Sequence, residues 1–297
     1  MSAVAASTVA KRSAVRITHP ERVVFDDGIT KQDVVDYYRA VMDPLLEGIR
    51  DRPLSVIRCP DGVASGCFFQ KHTLAGLKRV HTIDLHEESG GEGTYLYVRS
   101  PEEVIELVQF NAIEFHPWAS TIKNTDVTDY LVFDLDPGPD VSWKAVVAGA
   151  ELLRKRLGDL DLDSFVRTSG GKGLHVVVPL KPVAWSKAKD FAHRLSESIV
   201  EAQPDAYIAT ASKAKRGGVI FIDYLRNSRG ATSVASYSLR SRAGASVAVP
   251  LRWDELRKLK GAAQFTLRNV PARLKRQRRD PWQGFATLRQ SLPKKFS

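Results

Sequence analysis

Residues 130–138, Tyr-Leu-Val-Phe-Asp-Leu-Asp-Pro-Gly, constrain this chain more than any other stretch. Four apolar or aromatic residues run into Asp134 and Asp136, and Pro137-Gly138 then stops the strand. Side chains alternate faces along a strand, so the two carboxylates point the same way, about 7 Å apart. Like charges at the end of a buried strand repel each other and lose hydration unless a divalent cation or a cationic side chain compensates them. A plain turn, with Asp before Pro-Gly closing the strand, satisfies the same local pattern.

Two further segments bear on that choice. Val219-Ile220-Phe221-Ile222-Asp223 is again an apolar strand that ends on a carboxylate. Between the two acidic strand ends lie a strand at Phe165–Thr168, the loop Ser169-Gly170-Gly171-Lys172-Gly173, and a strand from Leu174 to Pro179. Glycines let backbone amides approach phosphate oxygens, with Lys172 as a point charge and His175 just inside the next strand. The loop is not a Walker A motif, because the G-x-x-x-x-G-K-[ST] spacing is missing and strand follows strand. A hairpin turn also explains the glycines, but not why Ser, Lys and His gather there. Arg216 ends the basic stretch Lys213-Ala214-Lys215-Arg216, and Arg226, Arg229, Arg240 and Arg242 follow. Cations therefore collect around three acids on strand ends.

The totals agree with a polyanionic partner. Lys plus Arg is 44 and Asp plus Glu is 34 in 297 residues, a net charge of +10, which favours nucleic acid first and an acidic membrane second. No run of eighteen apolar residues is present to span a membrane. Cys59 and Cys67 are the only cysteines and have no histidines at finger spacing, which argues against structural zinc and fits a reduced, cytoplasmic setting. Residues 1–13 read as a disordered leader or linker, with no basic residue before the apolar part, and 14–297 as a single domain.

Thr30 with Asp33 forms a capping box that opens a helix through Leu45. Arg22 and Lys31 flank its start, where amides and cations suit a phosphate or simply face solvent. Leu54–Arg58 is a strand, and Phe68-Phe69-Gln70-Lys71-His72 follows a glycine turn. Alternation sends adjacent aromatics to opposite faces, leaving one of Phe68 and Phe69 open for base stacking beside Lys71, unless both pack in two layers. Strands at 94–98 and 112–116 bracket a helix announced by Ser100-Pro101-Glu102-Glu103, and further helices are expected at 142–156, 186–202 and 253–260. The basic run 273–279 reads as a solvated or DNA-backbone face. Strand following strand around Lys172 predicts an α/β (α+β) fold with antiparallel or mixed central sheets flanked by helices, not a doubly wound parallel sheet.

Taken together, Leu131 to Asp136, Gly173-Leu174-His175 and Val219 to Asp223 resemble the three motifs of the archaeo-eukaryotic primase superfamily. The closer signatures Phe68 to His72, Ile113-Glu114-Phe115-His116, Thr168 to His175 and Asp223 to Asn227 resemble the polymerase domain of bacterial ligase D, a primase-polymerase of non-homologous end joining. The resemblance implies a DNA-dependent nucleotidyltransferase that adds ribonucleotides or deoxyribonucleotides (NTP or dNTP) to a primer 3′ end by a two-metal mechanism, with Mn2+ or Mg2+. Asp134, Asp136 and Asp223 would bind the metals, and Ser169, Lys172, His175, Arg240 and His116 the nucleotide. Arg22, Lys31, Phe68, Phe69, Lys71 and Arg216 would contact DNA, with Lys31 at the 5′-phosphate. The family commonly has lysine where Arg22 stands, which changes a point charge into a fork. The partners implied are double-stranded DNA ends, gapped DNA with a 5′-phosphate, a ligase domain and a Ku-type end-binding protein. The ligase signature Lys-x-Asp-Gly is absent, as expected of a polymerase module on its own.

Three alternatives were weighed against this reading. A phosphatase of the haloacid dehalogenase type wants Thr or Val where Gly138 stands. A non-catalytic nucleic-acid-binding module leaves three strand-end acids unexplained. A replicative primase small subunit lacks its zinc-binding set here.

Overall fold

Local chain chemistry sets the first elements of the computed structural model, which describes residues 15–88 and 90–294; the expected leader 1–13 lies outside the described residues. The capping box is present, with Thr30 accepting from the Asp33 amide, and it opens α1 at Lys31–Ala40. The expected single helix is broken: Val41 is non-helical and α2 runs over Met42–Ile49. Pro44 has no N–H to donate to the carbonyl four residues back, so the ladder cannot continue through it.

Next come β1 (Leu54–Arg58), β2 (Phe68–Gln70), β3 (His81–His86), β4 (Glu92–Tyr97), α3 (Pro101–Gln109) and β5 (Ala112–Pro117). Strand β1 is the hub of this sheet, pairing antiparallel with β2, β4 and β5, while β3 extends the sheet beyond β4. Strand β3 was not expected, although Ile83 and Leu85 alternate with polar residues.

The cysteine reading is corrected here. Cys59 and Cys67 form a disulfide. Because Arg58 pairs with Phe68 across β1 and β2, the residues just beyond that pair meet at the mouth of the hairpin. The inference of a reduced setting drawn from cysteine number therefore loses its support. Among the described residues, no helix is long and apolar enough to cross a membrane.

The second sheet holds β6 (Val127–Pro137), β7 (Phe165–Thr168), β8 (Leu174–Ala184), β9 (Tyr207–Ile208), β10 (Ile220–Asp223) and β11 (Pro250–Leu251), in the order β11-β7-β8-β6-β10-β9. Every pairing is antiparallel except that of β9 with β10. The helices α4 (Trp143–Gly158), α5 (Trp185–Ala202) and α6 (Val270–Arg276) complete the chain, with a 3-10 helix at Trp253–Lys258. The mixed, mostly antiparallel α/β prediction holds.

Alternation along β6 does the sorting that places the site. Leu131, Phe133 and Leu135 join the main core with residues of α4 and α5. Tyr130 and Val132 face the other way and pack with Val177, Trp185, Trp282 and Phe285. Asp134 and Asp136 continue that second face to the end of the strand.

Candidate active site

Register brings the acids together. Asp134 on β6 pairs with His175 on β8 on one side and with Asp223 on β10 on the other. His175 Nε2 lies 3.4 Å from Asp134 Oδ1, and Arg226 Nε lies 3.1 Å from Asp223 and 3.6 Å from Asp134. Asp136, two residues on, is held by Arg216 Nη1 at 2.8 Å. Asp134, Asp136, His175 and Arg226, with Ser169, Lys172, Arg240, Arg242 and His116, line one cleft of ≈ 380 Å³. Asp223 and Arg216 stand on its edge through Arg226 and Asp136.

Two glycines let the backbone close around the cleft. A Cβ on Gly173 would sit 2.0 Å from the Leu135 carbonyl oxygen, and one on Gly138 would sit 1.6 Å from that of Arg216. The loop between β7 and β8 is organised by Ser169, whose hydroxyl accepts from the Gly171 and Gly173 amides at 3.2 Å each. Arg240 Nη1 donates to the Ser169 carbonyl at 2.6 Å. Lys172 is exposed at the rim and makes no ion pair among the described residues.

Electrostatics divides the acids. Burial alone pushes Asp134 up, but His175, Arg226 and Arg240 outweigh it and hold it at about 2. Asp136 is raised by burial and by Asp134, and Asp223 is raised by burial despite Arg226. Burial lowers His175 and His116, so both imidazoles are neutral at pH 7. Two acids made unwilling to ionise by burial and charge are a donor set that a hard divalent cation would stabilise. The carboxylate chemistry fits such an ion. As the side chains stand, no three His, Cys, Asp or Glu residues converge as a metal cage among the described residues, and Arg216 and Arg226 pair with the three acids instead.

Glu114 is a site residue that the sequence did not single out. It is 1% exposed, accepts from Ser241 N at 2.7 Å and Ser241 Oγ at 2.6 Å, takes the His116 Nε2–H at 2.9 Å and pairs with Arg240 Nε at 2.8 Å. Burial opposes its charge, yet His116, Arg240 and Ser241 hold it at about 2. Its position two residues before His116 on one strand, hence on one face, was the available signal.

The expected DNA contacts fall into two groups apart from the acids. Lys31 is 5% exposed, and its Nζ donates to the carbonyls of Gln109 at 2.8 Å and Thr18 at 3.1 Å. Arg22 Nη2 donates to Asn111 Oδ1, while its buried Nε has no hydrogen-bond partner among the described residues. Burial, then the Arg22 charge, brings Lys31 down to about 8. In the other group Phe68 and Phe69 are 45% and 49% exposed, so both stand open where one was expected. Strand β2 is a three-residue edge strand whose two phenylalanines are both exposed, Phe68 with Arg58 over its ring. The Phe69 ring stands edge-on to His116 at 5.8 Å. Lys71 is engaged by Glu87 at 2.7 Å.

Comparison with known proteins gives the family and the fold. Residues 30–282 match the family described as LigD, primase-polymerase domain. The chain is 40% identical over 295 residues to the multifunctional non-homologous end joining protein LigD of Pseudomonas aeruginosa, covering 97% of this chain and 35% of that protein. It is 28% identical over 267 residues to the bifunctional LigD of Bacillus subtilis, covering 89% of this chain and 43% of that protein. The chain thus spans well under half the length of these relatives. Among solved structures, the polymerase domain of Mycobacterium tuberculosis ligase D in complex with DNA matches with a TM-score of 0.86 and 31% identity, over 93% of this chain and 99% of that one.

Family and fold place the chain among primase-polymerase domains, in the nucleotidyltransferase class of DNA polymerases and primases. More narrowly, the chain belongs to the LigD primase-polymerase domain family of non-homologous end joining.

Proposed function

We propose that this cleft adds a nucleoside triphosphate, ribo or deoxy, to a primer 3′ end at gaps and double-strand breaks. The observation that carries the reading is the row Asp223, Asp134, His175 across three adjacent strands, facing a Ser-Gly-Gly-Lys-Gly loop and Arg240. Lys172 and Arg240 would neutralise the triphosphate, and Ser169 and His175 would offer hydrogen bonds to it. His116, held by Glu114 through Nε2, would turn Nδ1 toward the nucleotide. Asp134, Asp136 and Asp223 would hold Mn2+ or Mg2+. Such an ion, when bound, supplies Lewis acidity at the primer hydroxyl and the departing pyrophosphate.

Around the cleft, Phe68 and Phe69 offer faces on which template bases stack. Arg22 and Lys31 form a cationic corner suited to a 5′-phosphate, and Arg216 and Lys71 reach DNA only by leaving their carboxylate partners. A ligase domain and a Ku-type end-binding protein are the partners this activity calls for. Primer extension on a gapped duplex bearing a 5′-phosphate tests the reading, comparing rNTPs with dNTPs in manganese and magnesium. Template-directed addition that Asp136→Ala abolishes is the expected result. Tight DNA binding without addition of any nucleotide, or addition that survives in the variant, would overturn it.

A further inference from the structure

Arg167 is a buried cation with no carboxylate partner. On β7 it pairs in register with His175, so both side chains share the face that carries Asp134. It is 6% exposed, and no carboxylate stands within ion-pair distance of it among the described residues. Its Nε donates to His175 Nδ1 at 3.2 Å, Nη1 to Ser236 Oγ at 3.3 Å and Nη2 to Ser233 Oγ at 3.0 Å. Behind it the guanidinium lies 5.7 Å from the centre of the Trp282 ring and closes a separate cavity of ≈ 180 Å³ that Tyr130 and Phe285 also line. Both ends of the fork and the flat face are therefore fixed, which aims Nε at the imidazole.

A guanidinium has five N–H donors and no acceptor. His175 Nδ1 must therefore present its lone pair to Arg167, and the ring proton of the neutral imidazole sits on Nε2. There it faces the Asp134 carboxylate at 3.4 Å. The other tautomer would set two N–H groups against each other on one side and a lone pair against a carboxylate on the other. Both neighbours thus select the same form. The buried positive charge is answered by Asp134 through the imidazole, an arrangement in which each member fixes the next.

We propose that Arg167 is a positioning residue for nucleotidyl transfer: it fixes His175 as the Nε2–H tautomer, so that the imidazole always presents a donor to Asp134 and the cleft. The inference rests on the proposed function for the role of the cleft, and on the hydrogen-bond geometry alone for the tautomer.

The test reads the tautomer directly. Only seven histidines are present, so two-bond 15N–1H imidazole spectra of the labelled chain are tractable, with His175 assigned through His175→Asn. The wild type should show a single Nε2–H form. Arg167→Met removes the donor while keeping an apolar stem; Asp134, across 3.4 Å, is then the one selector left of the two, and a measurable share of the Nδ1–H form should appear beside Nε2–H. Its turnover at saturating nucleotide should fall roughly tenfold or more with KM changed by less than about threefold, as expected when a supporting hydrogen bond is lost. Arg167→Lys, also a donor without an acceptor, should restore the single tautomer and most of the turnover. An Nδ1–H form in the wild type, an unchanged tautomer in Arg167→Met, or turnover in Arg167→Lys as low as in Arg167→Met would overturn the proposal. Should Arg167→Met not fold, Arg167→Gln, whose amide oxygen can accept from Nδ1–H, takes its place in the same comparison, with the same outcomes. An Arg167-dependent tautomer in a chain that extends no primer would support the fixing of His175 and overturn the nucleotidyl-transfer reading alone.

Discussion

Arg216 holds Asp136 at 2.8 Å, with its guanidinium 4.1 Å above the Phe221 ring, on the strand that pairs with the Asp136 strand. The contact engages Oδ2, so a divalent ion at Asp136 meets the guanidinium as a rival for the same charge. Replacing Arg216 by Ala leaves the acids with less compensation, so the site should take up a cation more readily. Mn2+ binding by Arg216→Ala, followed without DNA by electron paramagnetic resonance titration, should tighten roughly three- to tenfold, the effect of about one unit charge at a partly exposed site. Unchanged or weaker Mn2+ binding would mean that Arg216 does not compete for Asp136.

Glu114 makes a different prediction, because it is buried behind His116 and Arg240 and does not itself line the cleft. Its carboxylate gathers His116, Arg240 and both donors of Ser241, 127 residues away in sequence. Glu114→Gln would turn an amide donor toward these donors. A nucleotide KM raised about tenfold is expected, with stability lowered on the order of 3 kcal/mol, as when one member of a buried charge cluster is removed. The sign of the pH dependence follows from its depressed pKa, about 2 against 4.5 in an unconstrained chain. Glu114 contributes stability that is fully present above 4.5 and is lost as pH falls toward 2, roughly 3 kcal/mol in all. Melting temperatures measured between pH 5 and 3 should therefore drop less in Glu114→Gln than in the wild type.

These two residues also mark what the sequence could and could not convey. Asp134, Asp136, Asp223 and His175 were legible because a period of two and a proline-glycine stop put acids on one face at a strand end. Their mutual register, Asp134 beside both His175 and Asp223, needed the sheet order. Glu114 was legible only through its place two residues before His116; its pairing with Arg240 and Ser241, like that of Arg167 with Ser233 and Ser236, lies far along the chain and needed the fold. The Cys59–Cys67 bond likewise depends on the β1–β2 register and not on cysteine number. By contrast, the break between α1 and α2 was written locally in Pro44, and the exposure of both Phe68 and Phe69 follows from β2 being an edge.

Gly138 tests how tightly the cleft is closed. A Cβ there would meet the Arg216 carbonyl oxygen at 1.6 Å, and that atom is backbone whose neighbour Gly218 donates to the Pro139 carbonyl. No rotamer change relieves the contact. Gly138→Ala should therefore push the Arg216 segment away from Asp136 at a cost of about 2 kcal/mol or more, the range of overpacked sites. Thermal unfolding should show a melting temperature lowered by several degrees. An unaltered melting temperature would mean that the two segments separate freely.

Lys31 gives the last prediction, a pH dependence of end recognition. Burial and the neighbouring Arg22 bring its pKa down to about 8, so the ammonium is charged at pH 7 and mostly neutral by pH 9.5. A terminal 5′-phosphate carries close to two negative charges throughout that range, with its second ionisation near pH 6. Any preference for phosphorylated over unphosphorylated ends that rests on Lys31 must therefore fade as pH rises through 8. Fluorescence anisotropy on gapped duplexes with and without the 5′-phosphate should show a preference of roughly tenfold at pH 7, the contribution of about one charge-assisted hydrogen bond. At pH 9.5 the preference should shrink to what Arg22 alone maintains. Lys31→Ala should show that smaller preference at both pH values, and Lys31→Arg, which keeps its charge, should lose the pH dependence. A preference that stays constant with pH in the wild type would move the phosphate contact from Lys31 to Arg22, whose buried Nε has no partner among the described residues.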